Sequence, residues 1–191
     1  MTSVSIFGTG NMGSAIASVA RKGGHSVQQL GHGDGAVVVE GDVVILAVPH
    51  AALAEIVAER GETLAGKVVV DITNPVDFTT MDGLVVGADT SAAATLAESL
   101  PDSKVIKAFN TNFAGTLADG TVGPLTTTVL VAGDDADAKA EVVAVVTSGG
   151  LNAVDAGTLK RARELEALGF LQITLAVREQ ISWAAGFGIQ N

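Results

Sequence analysis

A short apolar segment, Ser3–Phe7, runs directly into Gly8-Thr9-Gly10-Asn11-Met12-Gly13, and helical spacing (Met12, Ala15, Ile16, Val19) begins inside that loop. Few backbone geometries accommodate this. Glycines at the first, third and sixth positions suit, in turn, a tight strand-to-helix turn, close approach of a pyrophosphate to the backbone, and close packing of helix on strand. A helix starting there offers unpaired N–H groups and about half a positive charge to an anion. The helix is predicted to stop at Arg21-Lys22-Gly23-Gly24, a basic last turn followed by glycines. A glycine-rich turn that holds no ligand is the alternative reading of the loop alone.

Beyond the loop the pattern alternates. Ser26–Leu30 reads as a second strand; Asp42–Val48 and Lys67–Ile72 are continuous apolar runs of the kind expected for parallel strands covered on both faces. Leu53, Ile56, Val57 and Leu64 mark a crossover helix between them, and Ser91–Leu100 marks another. Strands are predicted at Lys104–Phe109, Thr127–Ala132 and Leu151–Asp155, with a helix at Asp135–Thr147. This is the signature of an α/β, Rossmann-type, doubly wound and mostly parallel sheet. From Thr158 to about Gly186 the pattern turns helical, with Leu159, Ala162, Leu165, Leu168, Leu171 and Leu175 expected along one side. The division expected is a dinucleotide-binding domain over residues 1–156 and a helical appendage over 157–191, packed on the same core.

One stretch breaks the scheme. Only 11 residues, Gly31 to Gly41, separate the second strand from the Asp42–Val48 run, too few for a helix and a third parallel strand. The region after strand two is therefore expected to be truncated, with its helix deleted and its strand reduced to a stub or lost. That region would help cradle the adenosine.

A formal net charge of −10 disfavours nucleic acid and anionic membrane surfaces as partners. With no cysteine among the 191 residues, disulfides, thiol nucleophiles and Cys-ligated metals are excluded, and no metal site is expected. No targeting segment or membrane span is read in the chain, so a cytoplasmic location is expected.

The end of strand two, Gln29-Leu30-Gly31-His32, lacks the acid that usually holds the ribose 2′-OH of NAD. That absence favours NADP(H), with His32 as the candidate contact for a 2′-phosphate; Asp34 reads as a surface turn residue. Ligands of open α/β sheets lie beyond the carboxyl ends of the strands. Those ends carry Val48-Pro49-His50, Thr73-Asn74-Pro75 and Ala108-Phe109-Asn110-Thr111-Asn112-Phe113. Asn74 and Pro75 fit a rigid rim beside a nicotinamide equally with ordinary turn punctuation. His50 is the one histidine at a strand end and the candidate for a proton role. His25 is read as structural. There is no tyrosine, which rules out a Tyr-Lys catalytic pair.

The pieces SIFGTGNMG, GDVVILAVP, VVVDITNP, VIKAFNT and DAGTLKRARELEALGFLQI occur in order along the chain. Together they resemble the reductases that move hydride between NADP and the deazaflavin coenzyme F-420 (8-hydroxy-5-deazaflavin). The resemblance implies a homodimer with NADP(H) as cofactor and the deazaflavin as co-substrate, the two rings meeting in a cleft beside the C-terminal part. It implies a pyrophosphate site at Gly8, Thr9, Gly10, Asn11 and Met12. Ala47, Val48, Pro49 and His50 would lie along the nicotinamide half, with Asn74 and Pro75 nearby, and Phe109, Asn110 and Thr111 would border the deazaflavin. The chain departs from the family where Gly31-His32 replaces a basic pair. Lys160, Arg161 and Arg163 could meet an anionic coenzyme tail or form a solvated helix face. A flavin or ferric reductase on the same frame, and a non-catalytic dinucleotide-binding module, remain alternatives.

Overall fold

Residues 1–190 are described in the computed structural model. In chain order the elements are β1 (Ser3–Phe7), α1 (Asn11–Lys22), β2 (Ser26–Leu30), β3 (Val43–Leu46), α2 (Leu53–Leu64), β4 (Val68–Asp71) and α3 (Ala92–Ser99). There follow β5 (Lys104–Lys107), α4 (Ala114–Asp119), the hairpin of β6 (Thr121–Val122) and β7 (Leu125–Thr126), β8 (Thr128–Gly133), α5 (Ala136–Ser148), β9 (Asn152–Gly157) and α6 (Ala162–Val177). Seven strands form one sheet in the order β2-β1-β3-β4-β5-β8-β9. Every pairing in it is parallel except that of β5 with β8. The doubly wound Rossmann-type frame is therefore present, with one antiparallel joint where the chain returns through α4 and the small hairpin.

Strand residues alternate between two cores. Val4, Ile6, Val43, Ile45, Val68, Val70 and Ile106 face α1, α4 and α5. Phe7, Val44, Leu46, Val69 and Val105 face α2, α3 and the start of α6. Because both faces are covered, the inner strands are apolar at nearly every position, which is why they read as runs and not as alternations.

The truncation after β2 is visible. Among the described residues no helix or strand lies between Leu30 and Val43, and β2 forms the sheet edge. Chain without secondary structure covers the crossover: 11 extended residues can reach roughly 36 Å, about twice the length of a five-residue strand. Val39 is buried against the second core, and Gly41 donates its N–H to Ser5 Oγ at 2.8 Å. Arg60 of α2 pins the segment by donating to the carbonyls of Asp34 and Val37 while its guanidinium stands 5.9 Å from the centre of the Phe7 ring.

The C-terminal helix corrects two expectations. It ends at Val177, well short of Gly186, and the chain reverses through Glu179 at φ +57° with Gln180 N–H returning to the Leu175 carbonyl. Its buried line is Ala162, Leu165, Glu166, Gly169, Gln172 and Ala176, so the expected leucine stripe is rotated and Leu171 is half exposed. Two polar side chains, Glu166 and Gln172, set that rotation.

Glu166 belongs to a buried ionic cluster. Asp71 and Lys107 are register partners on β4 and β5 and project to the same face. Lys107 Nζ lies 2.8 Å from both Asp71 Oδ2 and Glu166 Oε1, and all three side chains are at most 1% exposed. Lys107 also donates to the Thr73 carbonyl, and Glu166 accepts the Ala92 and Ala93 N–H groups at the start of α3. Removing the cation would strand two buried carboxylates, a loss of about 3–5 kcal/mol. Lys107→Met is therefore expected to lower the urea midpoint of unfolding steeply, whereas an unchanged midpoint would show that the cluster adds nothing to stability.

Candidate active site

The glycine loop lies where strand order requires it, between the carboxyl ends of β1 and β3. Gly8 adopts φ +120°, and a Cβ there would stand 2.1 Å from the Ala47 carbonyl oxygen. A Cβ on Gly13 would stand 2.1 Å from the Gly8 carbonyl oxygen. Both positions thus require glycine to bring β1, β3 and α1 together. Gly10 is different: its backbone is extended (φ −73°, ψ −173°), and a Cβ there would meet nothing within 4 Å. That empty volume fronts the N-terminus of α1, which has no side-chain cap and no acid in its first turn. The first N–H groups of a helix have no partner within it, so this end is open to an anion.

Two clefts flank the loop. The first, about 350 Å³, is walled by Gly8, Thr9, Gly10, the end of β2 with His32, the Ala47-Val48-Pro49 turn and one face of α2. The second, about 570 Å³, is walled by Asn11, Met12, Asn74, Asn110, Asn112, Phe113 and, from the C-terminal part, Ile173 and Trp183. Both volumes lie within the range of small-molecule sites.

The first cleft is more acidic than the sequence implied. Asp34, expected as a surface turn residue, lines it and accepts the Gly31 N–H at 2.7 Å, while Glu55 and Glu59 reach it from α2. Arg60 is the sole Arg or Lys among the residues lining it, and its guanidinium is committed to the Asp34 and Val37 carbonyls. His32 is exposed on the same wall.

In the second cleft the amides are locked. Asn74 Nδ2 donates to the Asn110 carbonyl at 2.8 Å; Asn110 Nδ2 donates to Asn74 Oδ1 at 2.9 Å and to the Leu165 carbonyl at 2.8 Å. Gly169 admits this arrangement, since a Cβ on it would fall 2.3 Å from Asn74 Oδ1. Asn74 is fixed from the other side as well, because Thr73 donates its N–H to Asp71 Oδ1 and gives its carbonyl to Lys107.

Several expected contacts lie elsewhere. Phe109, held at φ +63°, turns into the core and is fully buried, so its ring faces neither cleft. Thr111 and Pro75 are also buried and line neither. His50 opens a 3-10 turn and lines a separate groove with Leu53, Val57 and Leu96, its Nδ1 buried without a partner. Lys160, Arg161 and Arg163 point to solvent, and Arg161 pairs with Glu164 at 3.2 Å. His25 bonds Thr2 N–H and Ser148 Oγ at the opposite end of the sheet, as a structural residue should. Asp77, Asp135 and Asp155 have carboxyls held below the usual range, first by hydrogen bonds from Thr80, the Ala138 N–H and Lys139 respectively; none lines either cleft.

The sequence reading missed Arg60 and Trp183; Trp183 is the chain's single tryptophan.

Residues 32–75 match the family model described as NADP oxidoreductase coenzyme F420-dependent. The F420-dependent NADP reductase of Methanocaldococcus jannaschii is 33% identical over 156 residues, 80% of this chain and 69% of that protein. That of Methanothermobacter marburgensis is 35% identical over 161 residues, 80% of this chain and 70% of that protein. This chain belongs to the F420-dependent NADP reductase family. A solved structure from Arthrobacter sp. FB24, described as a candidate F420-dependent NADP reductase, superimposes with a TM-score of 0.84 at 26% identity across the whole of both chains. Family membership thus agrees with a fold whose two clefts meet at one glycine loop.

Gly10→Ala adds a methyl group to the open volume at a backbone conformation any residue adopts. It is expected to weaken dinucleotide binding about tenfold or more, ~1.4 kcal/mol, with the melting temperature unmoved. Calorimetric titration of NADPH checks this; wild-type affinity in the variant would mean the pyrophosphate lies elsewhere.

Proposed function

We propose that the chain is a cytoplasmic, homodimeric oxidoreductase that transfers hydride between NADP(H) and the deazaflavin coenzyme F-420. The observation that carries this reading is the continuity of the site: Gly8, Thr9 and Gly10 wall one cleft, and Asn11 and Met12 wall the other. A dinucleotide whose pyrophosphate crosses the α1 N-terminus would place its adenosine in the first cleft and its nicotinamide toward the second. Residues 1–156 would then hold the dinucleotide, and residues 157–191 would complete the acceptor side through Ile173 and Trp183.

When both are bound, hydride passes directly between the nicotinamide and deazaflavin rings. The protein's contribution is positional. The α1 N-terminus holds the pyrophosphate, the Ala47-Val48-Pro49 turn supports the dinucleotide, and the interlocked Asn74 and Asn110 form a rim that cannot shift without moving α6. Ile72, Met12, Phe113 and Ile173 give the second cleft apolar walls. No titratable side chain is among the residues lining the second cleft, so the proton that completes reduction of the deazaflavin at its ring nitrogen would come from solvent.

The 2′-phosphate of NADP would meet His32, the exposed hydrogen-bond donor on the first cleft's wall. His32→Ala is expected to weaken NADPH about tenfold and NADH little, because a charge-assisted contact is lost only to the former; equal losses would remove His32 from this role. The dimer reading draws on exposed apolar side chains: Leu171 and Val177 of α6, Val177 lying beside the Thr80–Asp82 turn, and Phe78 just ahead of that turn in sequence. Light scattering is expected to give twice the chain mass, and Leu171→Glu to reduce it.

The decisive assay mixes the protein with NADPH and oxidised coenzyme F-420 and follows the coenzyme's visible absorbance. Bleaching is expected. No bleaching, with reduction of FMN, FAD or chelated iron instead, would move the assignment to a flavin or ferric reductase. Failure to bind any dinucleotide would leave a non-catalytic module.

A further inference from the structure

The stretch after α6 runs as a strap over the second cleft's edge and is anchored at three points. Phe187 N–H donates at 3.3 Å to Oε1 of Gln172, a side chain 1% exposed on α6. The strap lies so close to α4 that a Cβ on Gly115 would stand 3.2 Å from the Trp183 carbonyl oxygen. The Trp183 ring meets that of Phe113 with centroids 4.8 Å apart and planes tilted by 53°.

Despite those anchors Trp183 is 55% exposed, on the wall of the second cleft. A large aromatic ring fixed from one side and open on the other is a stacking platform without its partner. The same cleft is lined by Asn74, Asn110 and Asn112, whose amides are held in place: Nδ2 of Asn112 donates to Thr128 O at 3.0 Å and Nδ2 of Asn110 to Leu165 O. With Met12, Ile72, Phe113 and Ile173 on the same walls, the cleft suits a flat heteroaromatic ring.

We propose that Trp183 is the binding residue that stacks the deazaflavin ring and sets the affinity for it. This rests on the reading that the second cleft takes the hydride acceptor. A deazaflavin fits the description because its three fused rings offer the area an indole covers.

The chain holds one tryptophan and no tyrosine, so its intrinsic emission comes from Trp183 alone. Oxidised coenzyme F-420 is expected to quench that emission saturably. Trp183→Leu keeps apolar contact with Phe113 but removes the stacking face; it is expected to raise KM for the deazaflavin about tenfold or more, with KM for NADPH within about twofold. Trp183→Phe should recover most of that loss, which a merely structural role for the strap would not require of a ring. If the wild type turns over the deazaflavin and Trp183→Leu leaves its KM unchanged, the stacking role is wrong and the functional reading stands. If the wild type does not turn it over, the reading fails and takes this proposal with it. Should Trp183→Leu prove unstable by circular dichroism, the quenching titration on the wild type and KM of Trp183→Phe decide the matter: no saturable quenching overturns the proposal.

Discussion

The site depends on an ionic cluster that touches neither cleft. Lys107, in the floor of the sheet, holds Asp71 beside it and Glu166 from α6, with the Thr73 carbonyl as a further acceptor. The excess negative charge of two carboxylates on one ammonium is met by the N–H groups that open α3, where the helix dipole is positive. Three elements are thereby tied to one point: the β4–β5 strand ends, the α3 N-terminus and α6. Each buried charge is costly alone, so the cluster tolerates a narrow set of arrangements, and that constraint reaches the site.

It does so through short links. Asp71 and Lys107 fix both ends of Thr73, the turn at Thr73 presents Asn74, and Asn74 interlocks with Asn110 against a glycine of α6. The amide rim of the second cleft is therefore as rigid as the sheet beneath it. The first cleft is held differently. Its outer wall is irregular chain, fastened by the two carbonyl bonds from Arg60 and by the Asp34 turn. On the proposed reading the reactive end stands on regular structure and the adenosine end on a segment without helix or strand, where His32 and Asp34 are among the few groups that would meet it.

Much of this was legible in the chain. The glycine loop specified a strand, a turn and a helix in ten residues because two of its glycines are steric necessities, and the third is the one whose missing side chain leaves space. The apolar runs announced a sheet covered on both faces. Counting the 11 residues from Gly31 to Gly41 was enough to foresee the truncation, since chain length limits what can be built. Asp71 and Lys107 sat in plain sight at the ends of apolar strands, yet nothing local shows that they face each other: that follows only from parallel register.

Local pattern therefore determined the class of fold, the glycine loop and the missing segment, because each is governed by neighbours in sequence through backbone sterics, periodicity or length. Only the tertiary structure decided which candidates share a cleft. Phe109 turned inward and His50 faced another groove because single backbone turns, not residue types, set their direction. The leucines of α6 gave up the inward stripe to Glu166 and Gln172 because a distant lysine and a returning strap needed them there. Trp183, far along the chain from the glycine loop, came to line the same cleft as Met12 because that strap crosses back over α4, a contact that no spacing in the sequence encodes.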